Sequence, residues 1–243
     1  MKFLETIIKL IFPPKCVLCE KIVEQDNTLG EKCWEKIKFI KEPFCDKCSS
    51  PLEYKVSDKV ICTNCIKNKP LYIKLRSAVV YNSFSSKIIF RFKFYDKIYL
   101  KKFMAKTMVQ SASDIIDKID VIISVPLHKK RLIFRKYNQS LLLANEIGKI
   151  TNKKVIYNFL LKNKHTIPQA KLNRKDRIKN LKGKFLINPI YLQEIEKYKD
   201  LNFVLIDDVI TTGSTITECI KTLNNAGIKN VYVITFAKTS YNK

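Results

Sequence analysis

No apolar run of about 18 residues occurs, so no stretch of this sequence predicts a membrane-spanning helix. No Gly-Lys-Ser/Thr occurs either, which excludes a P-loop nucleotide site. Residues 1–12 lack a small-residue cleavage site, and Glu5 and Lys9 interrupt their apolar character. They predict no signal peptide; Leu4, Ile7, Ile8 and Ile11 fall on one face of a short packing helix that ends at Pro13-Pro14. Acid is scarce: 22 Asp plus Glu stand against 46 Lys plus Arg, a formal charge of +24 over 243 residues. That excess suits a polyanionic partner or an anionic ligand and says nothing about fold. With 46% hydrophobic and 28% charged residues, the chain is neither fibrous nor disordered as a whole. Its length predicts one large domain, or one plus a small appendage.

Seven of the eight cysteines precede residue 66. Cys45-x2-Cys48 and Cys62-x2-Cys65 are two knuckles 13 residues apart. A two-residue gap lets one turn present two thiolates, and zinc takes four soft ligands in a tetrahedron, so this set predicts one zinc. A secreted disulfide framework is the competing reading, and the missing signal peptide counts against it. Cys16-x2-Cys19 is likewise followed by Cys33 after 13 residues, but the fourth position is Lys36. That set either recruits Asp26 or Glu31 or binds metal weakly or not at all, so a second zinc stays open. Small ribbons with little core depend on metal, which contributes about 10–16 kcal/mol of apparent binding energy in finger peptides.

From residue 71 the pattern changes. Residues 76–84, 121–125, 155–161, 203–206 and 231–236 read as strands. Residues 86–94, 103–116, 138–150 and 214–225 read as helices. This alternation predicts an α/β domain with a mostly parallel sheet flanked by helices, spanning 71–243, behind a cysteine module spanning 1–70.

In residues 203–216 an apolar strand ends at Asp207 and Asp208, and Thr211-Thr212-Gly213-Ser214-Thr215 then opens a helix. Ligands of open α/β sheets bind outside the carboxyl ends of the strands, and a helix N-terminus there offers free N–H groups to an anion. Gly213 permits close backbone approach, and the hydroxyls add donors. Charge-assisted bonds of this kind are worth roughly 1.5–3 kcal/mol each. The two acids cannot hold a phosphate but can accept from vicinal hydroxyls, so the turn describes a ribose 5-phosphate site. The competing reading is an Asp-Asp loop whose Thr and Ser merely cap the helix. Residues 121–131 form a second strand followed by a basic turn, Pro126-Leu127-His128-Lys129-Lys130-Arg131, in which Arg131 offers a bidentate fork and the lysines point charges.

The strand, acid pair and Thr-Thr-Gly-Ser-Thr turn resemble the phosphoribosyl-pyrophosphate (PRPP) motif of type I phosphoribosyltransferases. In that resemblance Pro126, Leu127, His128, Lys129 and Arg131 make the pyrophosphate-side loop. The whole chain resembles the ComF competence-protein family, which joins zinc ribbons to a phosphoribosyltransferase-like domain. The residues that carry this likeness are Phe12-Pro13-Pro14-Lys15-Cys16, Cys33-Trp34, Cys45-x2-Cys48, Val125 to His128 with Arg131, Arg135-Lys136-Tyr137-Asn138-Gln139, Thr166-x-Pro168-Gln169 with Leu172, Arg177-x2-Asn180 with Gly183 and Phe185, and residues 207–215. Two departures stand out. Lys136 replaces a family glycine, and Gly30 replaces a family cysteine three residues before Cys33-Trp34.

The resemblance implies a cytoplasmic PRPP-binding protein, with Mg²⁺ accompanying PRPP, that supports uptake of single-stranded DNA in natural transformation beside a helicase or channel protein. Arg135, Asn138, Gln139, Gln169, Arg174 and Arg177 become lid or DNA contacts, with Lys171, Lys175 and Lys179 beside them; a charged surface helix is the competing reading. Arg91, Lys93, Lys97, Lys101 and Lys102 alternate with Phe90, Phe92, Phe94, Tyr95 and Tyr99, as a single-strand surface would, although alternate Phe are more often core. Two other functions fit the same residues. One is an active transferase moving ribose 5-phosphate from PRPP to a small nucleophile, for which the sequence names no general base. The other is a non-catalytic PRPP sensor. Cys219, on the helix after the turn, reads as buried packing.

Overall fold

The computed structural model describes residues 12–54, 59–95, 97–163 and 183–239. The expected N-terminal packing helix and Gln169, Lys171, Arg174, Lys175, Arg177 and Lys179 lie outside the described residues.

The cysteine module has little regular structure, namely α1 (Glu31–Trp34) and α2 (Thr63–Asn68). Five strands then form one sheet: β1 (Leu75–Val80), β2 (Val121–Ser124), β3 (Lys154–Val155), β6 (Phe203–Ile210) and β7 (Val231–Lys238). The order is β1-β7-β6-β2-β3 and every neighbouring pair is parallel. Strands such as Val121–Ser124 and the first half of β6 are apolar on both faces because helices or loops cover both. A separate antiparallel hairpin joins β4 (Leu160–Lys162) to β5 (Phe185–Ile187).

The predicted strand at 155–161 is corrected to two. Asn158 sits at φ 52° in the left-handed region, which breaks the extended run and sends β3 and β4 to different sheets. The first helix of the α/β part, α3 (Ser83–Phe94), starts earlier than the pattern indicates. Asn82 accepts from the N–H groups of Phe84 and Ser85, while Ser85 Oγ accepts from Asn82 N–H. The helix read at 103–116 is two, α4 (Leu100–Ser111) and α5 (Ser113–Ile116), separated at Ala112. Ser111 Oγ donates back to Met108 O there (2.9 Å), a local bond that competes with the helical pattern. The basic turn at 128–131 is in fact the start of α6 (Lys129–Arg135). It is followed by α7 (Gln139–Thr151), short α8 (Pro189–Leu192) and α9 (Ser214–Asn225).

The sheet divides the core in two. On one face α3, α4 and α7 pack against Val79, Ile122, Val204, Ile206, Ile234 and Phe236. On the other, α9 and the β4–β5 hairpin pack against Val121, Ile123, Phe203, Leu205, Val231 and Val233. The cysteine module is knitted to this sheet. Ile40 N–H donates to Ala78 O and Val80 N–H to Lys38 O, so residues 38–40 cover the outer edge of β1. Arg76, 2% exposed, reaches out of β1 to bind Asp114 through Nε (2.9 Å) and Nη2 (2.6 Å), and Asp46 through Nη2 (3.2 Å). Burial alone would raise the Asp46 and Asp114 carboxyls, but Lys74 and Arg76 outweigh it and hold both below their usual range.

Candidate functional site

Strand β6 runs on through both acids to Ile210, beyond the apolar stretch 203–206, because Asp207 and Val209 keep their register with Thr235 and Ala237 of β7. The chain turns at Gly213 (φ 76°, ψ 0°), a left-handed position that glycine occupies without strain, and α9 starts at Ser214. Thr212 Oγ1 and Ser214 Oγ share a hydrogen bond of 2.9 Å across the turn. A recess of about 30 Å³ lies inside it, lined by residues 211–215. The turn thus offers backbone N–H groups and hydroxyls around one anion-sized space at the head of a twelve-residue helix.

Asp207 Oδ1 accepts from Ser140 Oγ (2.8 Å) and from the Asp208 N–H (2.9 Å). Asp208 Oδ2 pairs with Lys93 Nζ at 2.5 Å. Burial, then the adjacent Asp208 charge, pushes the Asp207 carboxyl up to about 7, with Lys93 and Ser140 pulling the other way.

These acids form the floor of a cavity of about 810 Å³. Pro126, Leu127, Arg131, Arg135, Asn138 and Gln139 line it together with Thr211 and Thr215. The structure therefore brings Pro126, Leu127 and Arg131 of the predicted pyrophosphate loop and Thr211 and Thr215 of the predicted ribose-phosphate turn to one space, while Thr212, Gly213 and Ser214 line the smaller recess. Asn138 caps α7, accepting from Ser140 N–H, and donates to Val125 O. Buried Gln139 reaches the Lys93 carbonyl. Both hold the cavity wall in shape. Arg135 stacks over the Phe94 ring at 5.1 Å. Lys136 sits at φ 64°, a left-handed position that glycine would occupy freely and that costs the lysine about 1 kcal/mol.

Three lining residues escape a sequence reading. Ser140 orients Asp207, Lys87 lines the outer wall, and Lys162 on β4 reaches the interior. Burial, then the Arg131 charge, lowers the Lys162 ammonium to about 8, and burial with Arg135 depresses Arg131 too. Cations crowded this closely attract an anion that relieves their repulsion. No local motif marks Lys162, since its place depends on a hairpin closed over sequence-distant strands.

The alternating basic and aromatic patch is mostly dismantled. Phe92 is core, Arg91 donates to Leu18 O (2.7 Å), and Lys101 pairs with Glu146 (3.4 Å). Phe90, Phe94, Tyr95 and Tyr99 remain exposed. Cys219 is buried in the core on α9, where burial and then Asp207 hold its thiol well above its ordinary value, as packing rather than as a nucleophile.

The cysteines gather as two groups whose sulfurs lie within 4.8 Å of one another: Cys45, Cys48, Cys62, Cys65, and Cys16, Cys19, Cys33. The Cys48–Cys62 sulfur separation is 3.8 Å, the edge of a tetrahedron with Zn–S bonds of about 2.3 Å. The Cys62 N–H donates to Cys45 Sγ (3.2 Å), and Ser50 Oγ lies 3.1 Å from Cys48 Sγ, the outer partners a thiolate site needs. The hydrogen bond from Cys45, opposed by burial and helped by Lys238, pulls the Cys48 thiol down to about 4, while the Cys48 bond and burial push Cys45 up. This group fits zinc. In the other, Gly30 N–H donates to Cys16 Sγ (3.2 Å), and among the described residues no carboxylate joins it, so neither Asp26 nor Glu31 supplies the missing ligand.

Comparison with known proteins agrees with this layout. Residues 7–66 match a double zinc ribbon domain and residues 140–242 a phosphoribosyl transferase domain. Competence protein F of Haemophilus influenzae is 30% identical over 225 residues, covering 90% of this chain and 94% of that protein. Competence protein ComFC of Bacillus subtilis is 27% identical, covering 83% and 85%. DNA utilization protein YhgH of Salmonella typhimurium is 26% identical, covering 92% and 90%.

Proposed function

The chain belongs to the ComF competence-protein family, and from that premise we propose that it binds PRPP in the acid-floored cavity and supports the handling of incoming single-stranded DNA during natural transformation. One observation carries the ligand reading: Asp207, Asp208, Thr211 and Thr215 of the turn, and a cationic wall of Arg131 and Lys162 line one cavity. In this reading the turn holds the 5-phosphate, the acids accept from the ribose hydroxyls, and Arg131 with Lys162 faces the diphosphate. His128 and Lys129 belong to the same basic segment in this reading. When bound with PRPP, Mg²⁺ would supply part of the positive charge that offsets the diphosphate, beside Arg131 and Lys162. Residues 1–70 act as the zinc-dependent ribbon module and 71–243 as the PRPP-binding domain. The names of the relatives support the DNA role, and the charge of +24 suits it. No helix among the described residues is long and apolar enough to cross a membrane.

A second reading, an active phosphoribosyltransferase, draws support from Lys162. A buried ammonium beside Arg131 suits charge that develops on departing pyrophosphate. The test of the binding claim is calorimetric titration with PRPP and Mg²⁺. Asp207→Asn/Asp208→Asn should weaken binding at least about 100-fold, since two charge-assisted acceptors are lost. Unchanged affinity would sink the assignment. Pyrophosphate release with a base or amine acceptor distinguishes the transferase from the pure binder.

A further inference from the structure

Strand β7 ends at Lys238, whose backbone is held from both sides. It stands in register with Ile210 of β6 and Val80 of β1, and the next N–H, that of Thr239, donates to Ile210 O (3.1 Å). Ile210 is the last residue of β6 before the Gly213 turn. The Lys238 side chain is only 5% exposed, a rare place for an ammonium. It lines a cavity of about 250 Å³ together with Cys48 and Tyr72 from the cysteine module and Thr212, Gly213 and Ser214 from the turn.

A buried cation is costly unless an opposite charge meets it. The acid in this cavity is already taken, since Glu218 pairs with Lys221 at 2.8 Å. The amide oxygen of Asn64 is taken as well, accepting from Asn68 Nδ2 (2.8 Å). Among the described residues the Lys238 ammonium has no carboxylate partner and no hydrogen bond. The negative charge it faces is sulfur: after the Cys45 hydrogen bond, Lys238 is the charge that favours Cys48 as a thiolate. Four thiolates around one Zn²⁺ carry a charge of about −2. Left uncompensated beside residues 212–214, that charge would oppose any anion on the turn.

We propose that Lys238 is the counter-ion of the four-cysteine zinc site, offsetting thiolate charge at Cys48 so that the ribbon packs beside the Gly213 turn without repelling the anion held there. Lys238 is a positioning residue: it acts on the ligand through the charge of the cysteine set, from a strand end fixed to the residue that precedes the turn. The inference rests on the zinc reading of Cys45, Cys48, Cys62 and Cys65 and on the PRPP reading of the turn, and its test scores the two separately.

The test compares the full chain with Lys238→Met, which keeps the apolar stem and removes the charge, and with Lys238→Arg, which keeps the charge. By chelator competition, Lys238→Met should hold the zinc of the four-cysteine set at least about tenfold more weakly, the effect of losing an outer partner, while Lys238→Arg stays within about threefold of the unaltered chain. In cobalt-loaded chains the sulfur-to-cobalt charge-transfer band should move to longer wavelength in Lys238→Met alone, because thiolates without their cation give up electrons more easily. Loss of packing by itself does not move that band. Calorimetric titration of the zinc-loaded chains with PRPP and Mg²⁺ should then show Lys238→Met at least about threefold weaker than Lys238→Arg. Equal zinc affinity in the two variants overturns the proposal, and so does equal PRPP affinity. If the unaltered chain binds no PRPP while the zinc and cobalt effects appear, the PRPP reading fails and Lys238 still stands as the counter-ion of the zinc site.

Discussion

Cys45, Cys48, Cys62 and Cys65 close a tetrahedron of sulfur, whereas Cys16, Cys19 and Cys33 leave one corner open, although both sets start from the same sequence spacing. The closed set packs with α9 and the β4–β5 hairpin on one face of the sheet. It is tied there by the Arg76–Asp46–Asp114 knot, and Cys48 and Tyr72 share a cavity of about 250 Å³ with residues 210–214 of the Gly213 turn. The open set packs on the opposite face with α3, and Arg91 of that helix donates to Leu18 O within its knuckle. The four-cysteine set therefore packs beside the turn, and the three-cysteine set beside the helix that carries the exposed Phe90 and Phe94. The difference teaches that a shared spacing does not fix a shared ligand set: the first knuckle presents three thiolates where the second presents four.

The largest effect that would break this comparison is Cys45→Ser. Zinc per chain, measured by mass spectrometry, should fall, and with it binding energy on the order of 10 kcal/mol. Cys19→Ser, at an exposed ligand of the open set, should leave the unfolding midpoint nearly unchanged. Equal losses would erase the distinction.

Arg76→Ala comes next. It leaves Asp46 and Asp114 with Lys74 alone and should cost about 3 kcal/mol, the low end for a broken buried pair because both acids touch water and keep one cation. Both carboxyls titrate below their unfolded value, so the stability they lend is present above that value and lost as pH falls through their lowered pKa. Urea unfolding across the acid range should show that limb in the unaltered chain and a shallower one in the variant.

Gly30→Cys sharpens the comparison from the other side. A Cβ built on Gly30 lies 3.9 Å from Cys16 Sγ and meets nothing closer than 3.4 Å, and the backbone is extended at φ −70°. The variant should close the open corner and raise first-site zinc affinity at least about tenfold, seen by chelator competition. An unchanged second zinc would mean the first knuckle cannot reach tetrahedral geometry.

The sequence made the turn legible because strand, acids, Gly213 and helix are contiguous, and it made the four-cysteine set legible because spacing alone brings thiolates together. It did not reveal that Lys93 neutralises Asp208, that Ser140 orients Asp207 or that Lys162 enters the cavity, since each comes from an element far along the chain. Arg76 reads as a charge at the start of a strand and is instead a buried knot. Asn158 splits a run whose apolar residues pointed to one strand. Tertiary placement decided each of these, whereas local chemistry decided the turn.

The most direct test of the central claim is amide hydrogen exchange of the zinc-loaded chain with and without PRPP and Mg²⁺. The account predicts that the N–H groups of residues 211–215 slow at least about tenfold on binding, because phosphate oxygens accept from them. Exchange in that segment unchanged at saturating PRPP would contradict it.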